Sequence, residues 1–337
     1  MLQALLEEQQ RYEVEALARS TRGSYSTGAK AFVSFCVAFA CLGCLEPLLP
    51  ASDEVLAYFI TFMSWFVAPS SIKNYLAGVR QLHLQRGHTW RPVSERHRVA
   101  STLQGVRRYW DRPSKPVMPL TLQNLKEMSR HVEFGALSEL SLWAAILVGF
   151  FGLFRKDNLT MGKEDACNSR AALVRDDVMF TEDGETAWFR VRYSKTIQCG
   201  ERYHWVPLRR VPGSALCPVW AVRALMCATA DRAGDSPLFV TEKQVGKKVQ
   251  VVPLAHTGLV KGIKRLAAAA GLQPEEYAGH SLRRGGATAA KRLEVHTLYI
   301  KTQGDWRSDC YERYCELEPE QRLILPGAMA EAAAALG

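Results

Sequence analysis

Apolar positions recur at helical spacing through the first hundred residues, and the breaks between them fall at prolines and capping residues. Leu2–Leu17 is amphipathic with its charges on one face. Ser24–Cys41 opens on Ser and Thr caps and runs into AFVSFCVAFA, then Pro47 and Pro50 interrupt it. Ser52 and Asp53 cap a third helix that extends through Val67. Ser70 or Ser71 caps a fourth, SIKNYLAGVRQLHLQRG, which gathers Ile72, Tyr75, Leu76, Val79 and Leu82 on one face and sets Lys73, Arg80 and Arg86 on others. Val99–Tyr109 is a fifth. These spacings predict a small all-helical bundle. WDRPSKPVMPL, Trp110–Leu120, carries three prolines in a polar, basic stretch and reads as an extended linker.

Beyond the linker the periodicities mix. Thr121–His131 and Ser138–Phe154 are predicted helices. Ala172–Thr181, Thr186–Thr196 and Tyr203–Val211 alternate like strands, with an Asp183-Gly184 turn, and predict a small antiparallel β-meander. Helices return at Pro218–Ala230, Thr257–Ala270, Ser281–Leu293, Leu298–Gln303 and Ser308–Leu317. The Ala-rich tail AMAEAAAALG is a final helix or a docking arm. Val55–Ile72 is the longest uncharged run, but Pro69, Ser70 and Ser71 end it after about one core-helix length, and Leu140–Phe154 is shorter. Both read as buried helices rather than membrane spans, with Trp65 and Trp143 in the core.

The length, 337 residues, fits roughly two domains at about 150 residues each. With 47% hydrophobic and 23% charged residues, collagen-like and wholly disordered classes are excluded. The divisions are an N-terminal helix or arm (1–17), a helical unit (18–110), the linker (111–120), a mixed unit (121–325) and a tail (326–337). MLQALLEEQQ has neither the basic start nor the apolar run of a secretory signal. Cys41 and Cys44 form a lone CxxC among nine cysteines, without a second pair or neighbouring histidines. They read as buried thiols of a reducing compartment.

The net charge of +9 is distributed unevenly. Residues 1–72 carry −3, and residues 73–115 carry +8 from Lys73, Arg80, Arg86, Arg91, Arg96, Arg98, Arg107, Arg108, Arg112 and Lys115 against Glu95 and Asp111. So lopsided a block is a candidate surface for a polyanion. His83, His88 and His97 within it suit either phosphate contact or simple exposure. His256, just before a helix, suits a cap-region role or a DNA-backbone contact.

The second unit has no Gly-rich P-loop, no HExxH, no GxSxG and no carboxylate cluster suited to Mg²⁺. Its conspicuous segment is HSLRRGGAT. His280 and Arg283 lie three apart on a helix and face one way, a fork and an imidazole suited to phosphate. Gly285 and Gly286 leave room for another backbone to come close. GDWRSDCYERYCEL follows, with Trp306 ahead of Tyr311 and Tyr314.

HSLRRGGATAA followed by GDWRSDCYERY resembles the tyrosine recombinase (phage-integrase-like) superfamily, in the style of the DIRS-like and Crypton recombinases of eukaryotic mobile elements. LVGFFGLFRKDNLT is similar to the family's first arginine segment, and YSKTIQ with VPL to the hairpin that presents its lysine. SYSTGAKAFVSFC and SSIKNYLAGVRQLH are similar to its core-binding domain. The resemblance covers roughly residues 18–320. It implies an all-α, SAM-like core-binding bundle followed by a mixed α+β, mainly helical catalytic domain. The site it implies is Arg155, Lys195, His280, Arg283, Trp306 and a nucleophilic tyrosine. That tyrosine is Tyr314, eight residues after Trp306 as in GxW-type members, with Tyr311 the alternative.

The implied reaction is attack on a DNA phosphodiester to give a 3′-phosphotyrosyl link, reversed by a 5′-hydroxyl. The arginines, with a cationic His280, hold the phosphate and favour the phenolate of a side chain whose free pKa is about 10. Lys195 gives a proton to the leaving oxygen, and Trp306 offers its indole N–H to the phosphate. No metal, ATP or other cofactor is implied. The partners are double-stranded DNA and further copies of the chain, as a tetramer on two DNA sites with an exchanged C-terminal helix. No membrane partner is implied, and the setting is intracellular, nuclear if the mobile-element likeness holds. A DNA-binding protein that has lost catalysis, and a type IB topoisomerase, are the alternatives. Two positions depart from the family pattern. Asp305 stands where many members carry His, and is expected to point away from the phosphate or hold an arginine. Asn158 stands in place of an acidic residue, with Asp157 one earlier.

Overall fold

The structure, a computed structural model, describes residues 1–41, 49–110, 117–162 and 171–308, and beyond these only 312, 323, 326, 327 and 329–331. Tyr311, Tyr314, Arg112, Lys115, Cys44 and most of the helix expected over Ser308–Leu317 lie outside the described residues, as does most of the tail. The chain divides into two compact units, Met1–Ser114 and Lys115–Gly337.

Among its described residues the first unit has five α-helices: α1 (Leu2–Glu15), α2 (Arg19–Cys41), α3 (Asp53–Ser64), α4 (Pro69–Gln85) and α5 (His97–Tyr109). Its core gathers Phe32, Phe35, Leu56, Phe59, Ile60, Ile72, Val79 and Val99. α2 and α4 meet at glycines. A Cβ on Gly28 would lie 2.6 Å from the Tyr75 carbonyl oxygen, and Gly78 faces the Tyr25 carbonyl just as tightly. The Ser52 hydroxyl caps α3 by accepting from Val55 N–H, and Asp53 and Glu54 sit in its first turn against the positive end of the helix dipole.

Three sequence readings in this unit are corrected. Trp65 is not core: it follows the last turn of α3, 66% exposed, with the Phe62 ring 6.0 Å away. His83 is neither exposed nor a phosphate ligand. It is fully buried, with Nε2 accepting from Ala51 N–H at 2.9 Å and Nδ1 donating to the Val79 carbonyl at 2.8 Å, and burial lowers its pKa. Arg96 is 6% exposed, bonded to Asp53 at 2.8 Å and stacked 4.7 Å from the Trp90 ring, so it braces α3 from the start of α5. Lys73, Arg80, Arg86, Arg91, Arg98, Arg107 and Arg108 remain exposed. Arg91 also reaches Asp53, and Arg98 reaches Glu54, each at 3.3 Å. Lys73 and Arg80 line a concavity with Leu76, Trp90 and Val93.

The second unit is built on α7 (Leu137–Phe151), buried on every side from Leu140 to Phe150 as its uncharged sequence requires. Trp143 is core as read, and its indole donates to the Ala215 carbonyl at 2.8 Å. Around α7 stand α6 (Leu122–Ser129), α8 (Lys156–Leu159), α9 (Pro218–Ala228), α10 (His256–Ala269), α11 (His280–Arg292) and α12 (Thr297–Gly304). The meander is present as β1 (Val178–Phe180), β2 (Thr186–Val191) and β3 (His204–Arg209), antiparallel in that order. Phe189 faces both Val178 and Val206 in the register. The strands are shorter than the alternation suggests. Asp177, 1% exposed, takes Arg190 and Arg192 at 3.1 and 3.0 Å and fixes the sheet's first corner.

A second hairpin, β4 (Val240–Val245) with β5 (Lys248–Pro253), was not predicted. Its lysines and glutamines obscure the alternation of its valines. Ser141 and Ser138 on α7 hold it by accepting from Val240 and Glu242 N–H, each at 2.8 Å. Among the described residues no helix is long and apolar enough to cross a membrane, and no three His, Cys, Asp or Glu side chains gather to suit a metal.

α11 packs against α7 through Gly285 and Gly286. A Cβ on Gly285 would run into the Leu120 carbonyl, and one on Gly286 into the Phe150 carbonyl. The obstacles are backbone, which cannot rotate away. Gly286→Ala is therefore expected to lower unfolding stability by about 1–3 kcal/mol in a urea titration, the usual range for overpacking. A change within about 0.5 kcal/mol, typical of a neutral surface substitution, would contradict this packing.

Candidate active site

The last turn of a helix leaves carbonyl oxygens without intrahelical partners and carries the negative end of the dipole. α12 ends at Gly304, and Asp305 closes it in the left-handed conformation (φ 53°, ψ 50°). Gln303 pins this end by donating to the Phe151 and Pro207 carbonyls at 3.3 and 3.2 Å, and the His204 ring nitrogen lies 3.2 Å from the Gln303 carbonyl oxygen.

Two guanidinium groups converge on this end. Arg283, one turn into α11 and 3% exposed, donates Nη2 to the Gly304 carbonyl at 2.6 Å and Nη1 to the Leu153 carbonyl. Arg155, directly before α8 and 22% exposed, donates Nη2 to the Asp305 carbonyl at 3.4 Å. A narrow cleft is lined by Arg155, Asn158, Ser194, Arg283, Gly304 and Asp305. Arg155 and Arg283, about 130 residues apart in the chain, are thus brought together.

The Asp305 side chain is not turned away: it holds arginine, as the second form of the expectation had it. Oδ1 accepts from Arg202 Nη2 at 2.5 Å. Oδ2 accepts from the Thr196 hydroxyl and, at 3.3 Å, from the Ser194 hydroxyl, with Arg155 Nη1 at 4.0 Å. Burial works to raise its pKa, but hydrogen bonds from Thr196 and Arg202 outweigh it, and the net direction is down.

Lys195 sits exposed in a tight turn closed by Ser194 N–H to Ile197 C=O at 2.9 Å and the reverse bond at 3.2 Å. The turn lines the cleft through Ser194, and Thr196 joins it through its bond to Asp305. Asn158 is buried and donates to the Ala171 and Tyr193 carbonyls at 3.0 and 3.2 Å. The neutral amide thus ties α8 to the chain entering that turn.

His280 opens α11 one turn before Arg283. The residue is exposed at the surface, yet desolvation of its ring within the packed site, then the Lys156 and Arg283 cations, lower its pKa, which favours the neutral imidazole over the cation expected from sequence. His256, at the start of α10, shifts the same way through burial and Lys156. Its buried Nδ1 has no hydrogen-bond partner, and its ring lies 3.4 Å from where a Cβ on Gly279 would sit.

Trp306 differs from expectation. It is 8% exposed in a small core with Leu153, Ala287 and Ile300, and the Arg283 guanidinium stacks 3.8 Å from its ring centroid. It supports the arginine from beneath. Sequence reasoning missed Arg202, Ser194 and Thr196. The one signal for them was the unbalanced carboxylate of Asp305 in an otherwise cationic site.

This fold is that of the tyrosine-type site-specific recombinases and integrases. Solved structures similar to it include the XerH site-specific recombinase bound to palindromic difH substrate in a post-cleavage complex (TM-score 0.62, 14% identity, 92% of this chain and 79% of that one). Others are the Tn1549 transposon integrase in complex with transposon right end DNA (0.60, 10%, 99% of each) and a lambda integrase dimer bound to a COC′ core site (0.57, 14%, 94% and 95%). In sequence, the chain is 25% identical over 276 residues to the integrase/recombinase xerD homolog of Selenomonas ruminantium, covering 80% of this chain and 74% of that protein. No protein-family model matches the chain.

The depressed His280 and His256 pKa values carry a sign. As pH falls below the unfolded value of about 6.5, the unfolded chain takes up protons first, so stability is full above that value and declines through the folded pKa values. Denaturant unfolding of the wild type at pH 7.5 and 5.5 is expected to show a larger loss than that of a His256→Gln/His280→Gln double variant. Equal losses would remove the two imidazoles from the acid transition.

Proposed function

We propose that this chain is a site-specific recombinase of the tyrosine type, which cleaves and rejoins double-stranded DNA through a 3′-phosphotyrosyl link. The observation that carries the reading is the meeting of Arg155 and Arg283 at the end of α12, with His280 on the same helix as Arg283 and the Lys195 turn alongside. Preorganised guanidinium donors at a shared cleft are suited to the charge that builds on a phosphodiester during displacement. The Tyr314 phenol is the nucleophile. Its oxygen bonds to phosphorus, the bond from phosphorus to the sugar 5′-oxygen breaks, neutral His280 accepts the phenolic proton, and Lys195 supplies one to the departing oxygen. A 5′-hydroxyl of a second strand reverses the step. The link conserves the bond energy, so the chain's own residues carry the whole exchange.

The first unit acts as the core-binding domain. Its exposed Lys73, Arg80, Arg86, Arg91, Arg98, Arg107 and Arg108, with Arg112, follow the phosphates and fix register rather than sequence, and Lys115 at the start of the second unit adds to them. One similar structure is a lambda integrase tetramer bound to a Holliday junction, at TM-score 0.53. This supports a tetramer on two DNA sites for the present chain. The paired motifs HSLRRGGATAA and GDWRSDCYERY support a mobile-element recombinase of DIRS-like or Crypton style, with a nuclear site of action, although the similar curated protein is bacterial.

The test is covalent trapping on a pool of nicked duplex oligonucleotides with a randomised core. Wild type is expected to give a denaturant-stable protein–DNA adduct that Tyr314→Phe abolishes and Tyr311→Phe retains. Binding without an adduct would make the chain a DNA-binding protein that has lost catalysis. Relaxation of supercoiled plasmid by a monomer would make it a type IB topoisomerase. In the same assay Arg80→Ala and Arg108→Ala are each expected to reduce the salt dependence of binding by about one phosphate's worth of slope, across all sequences.

A further inference from the structure

We infer that Asp305 is a positioning residue, a carboxylate clamp that holds the Lys195 turn against Arg155. The inference deepens the recombinase reading and rests on it for its catalytic consequence. The carboxylate joins three separate pieces of chain. Thr196 and Ser194 bond to it from within the turn, Arg202 from the strand's return, and Arg155 approaches from the head of α8. Its backbone is fixed independently, because the Asp305 N–H bonds back to Thr302 C=O and its left-handed geometry ends α12.

Lys195 itself is exposed, and its turn closes on only two backbone bonds. Gln198 donates to the Lys195 carbonyl and Arg307 to the Thr196 carbonyl, each at 2.9 Å, and Ser194 bonds Thr196 within the turn; of the groups that hold the turn, Asp305 is the one that also approaches Arg155. Oxygen acceptors on the turn's neighbours would not suffice, since Arg202 and Arg155 so close together need a negative partner. The lowered carboxyl pKa keeps that partner ionised at neutral pH. Asp305 thus does two things where it stands: it neutralises Arg202 and it sets the distance between the proton donor and the phosphate-binding arginine. In the proposed step the proton passes from the Lys195 ammonium to the 5′-oxygen as its bond to phosphorus breaks. A turn that wanders loses that transfer while the arginines still grip the phosphate.

Two measurements test this. The first needs no DNA: amide hydrogen exchange over residues 194–197 is expected to quicken roughly tenfold or more in Asp305→Ala, less in Asp305→Asn, which keeps an acceptor for Thr196, and similarly in Thr196→Val. Unchanged exchange in both Asp305→Ala and Thr196→Val overturns the clamp, and the second variant decides the matter if the first fails to fold. The second measurement uses the duplex selected in the trapping assay, made with oxygen or with sulfur at the bridging 5′ position. A thiolate leaves without a proton. Asp305→Ala is expected to slow cleavage of the oxygen substrate by about 10²-fold, the lower end of general-acid contributions, and to approach wild type on sulfur, as Lys195→Ala should. Equal slowing on both substrates, or none on either, overturns the link to Lys195. Failure of the wild type to form an adduct with either substrate would instead overturn the recombinase reading, and the exchange experiment would still decide the clamp.

Discussion

The organising interaction of the second unit is the capture of arginine side chains by the carbonyl end of α12. Two guanidinium groups from segments far apart in sequence would repel one another in an apolar cleft. The Gly304 and Asp305 carbonyls and the Asp305 carboxylate make their proximity tolerable. Among the described residues lining the cleft, Arg155 and Arg283 outnumber the one carboxylate, Asp305, so the lining keeps a net positive charge after its internal bonds are made. A diester phosphate carries the charge needed to complete the balance.

That arrangement is imposed by rigid parts. α7 is buried along its length and delivers Leu153 and Arg155 from its end, while Gly285 and Gly286 bring α11 close enough for Arg283 to reach the Leu153 carbonyl. Trp306 closes the other face of the same guanidinium. Arg283 therefore has little freedom left to lose on meeting a ligand. Lys195 is the contrasting case, a solvent-facing group on a short turn. On the proposed reading the site would combine a fixed grip with a proton donor held on a turn that side-chain bonds position.

Much of this was legible in the residues. α7 could be read from its uncharged run, the three-stranded meander from alternation around Asp183-Gly184, and the shared face of His280 and Arg283 from their spacing on a helix, whereas Arg155 came only through the family resemblance. What escaped was decided by partners distant in sequence. Asp53 lies 43 residues from Arg96 and turns an apparent surface cation into a buried brace, and Ala51 does the same for His83. Asp305 finds Thr196 across 109 residues and Arg202 across 103. Helical or strand periodicity reports which face of an element is apolar, but not which charges will meet. Trp65 failed for a local reason, since an apolar run continues past the point where α3 has already ended. The β4–β5 hairpin was hidden because both its faces are largely exposed, which removes the alternation that marks a half-buried strand.

The central claim of the proposed function is electrostatic: on that reading Arg155 would neutralise a non-bridging phosphate oxygen as tyrosine displaces the 5′-oxygen. Its most direct test replaces that oxygen with an uncharged methyl group at the scissile position and compares cleavage by wild type and Arg155→Ala. On ordinary DNA the variant should be slower by about 10²–10³-fold, the range for losing one preorganised donor to a developing oxyanion, and on the methylphosphonate most of that penalty should vanish. A penalty of the same size on both substrates would show that the guanidinium does not meet the phosphate's charge.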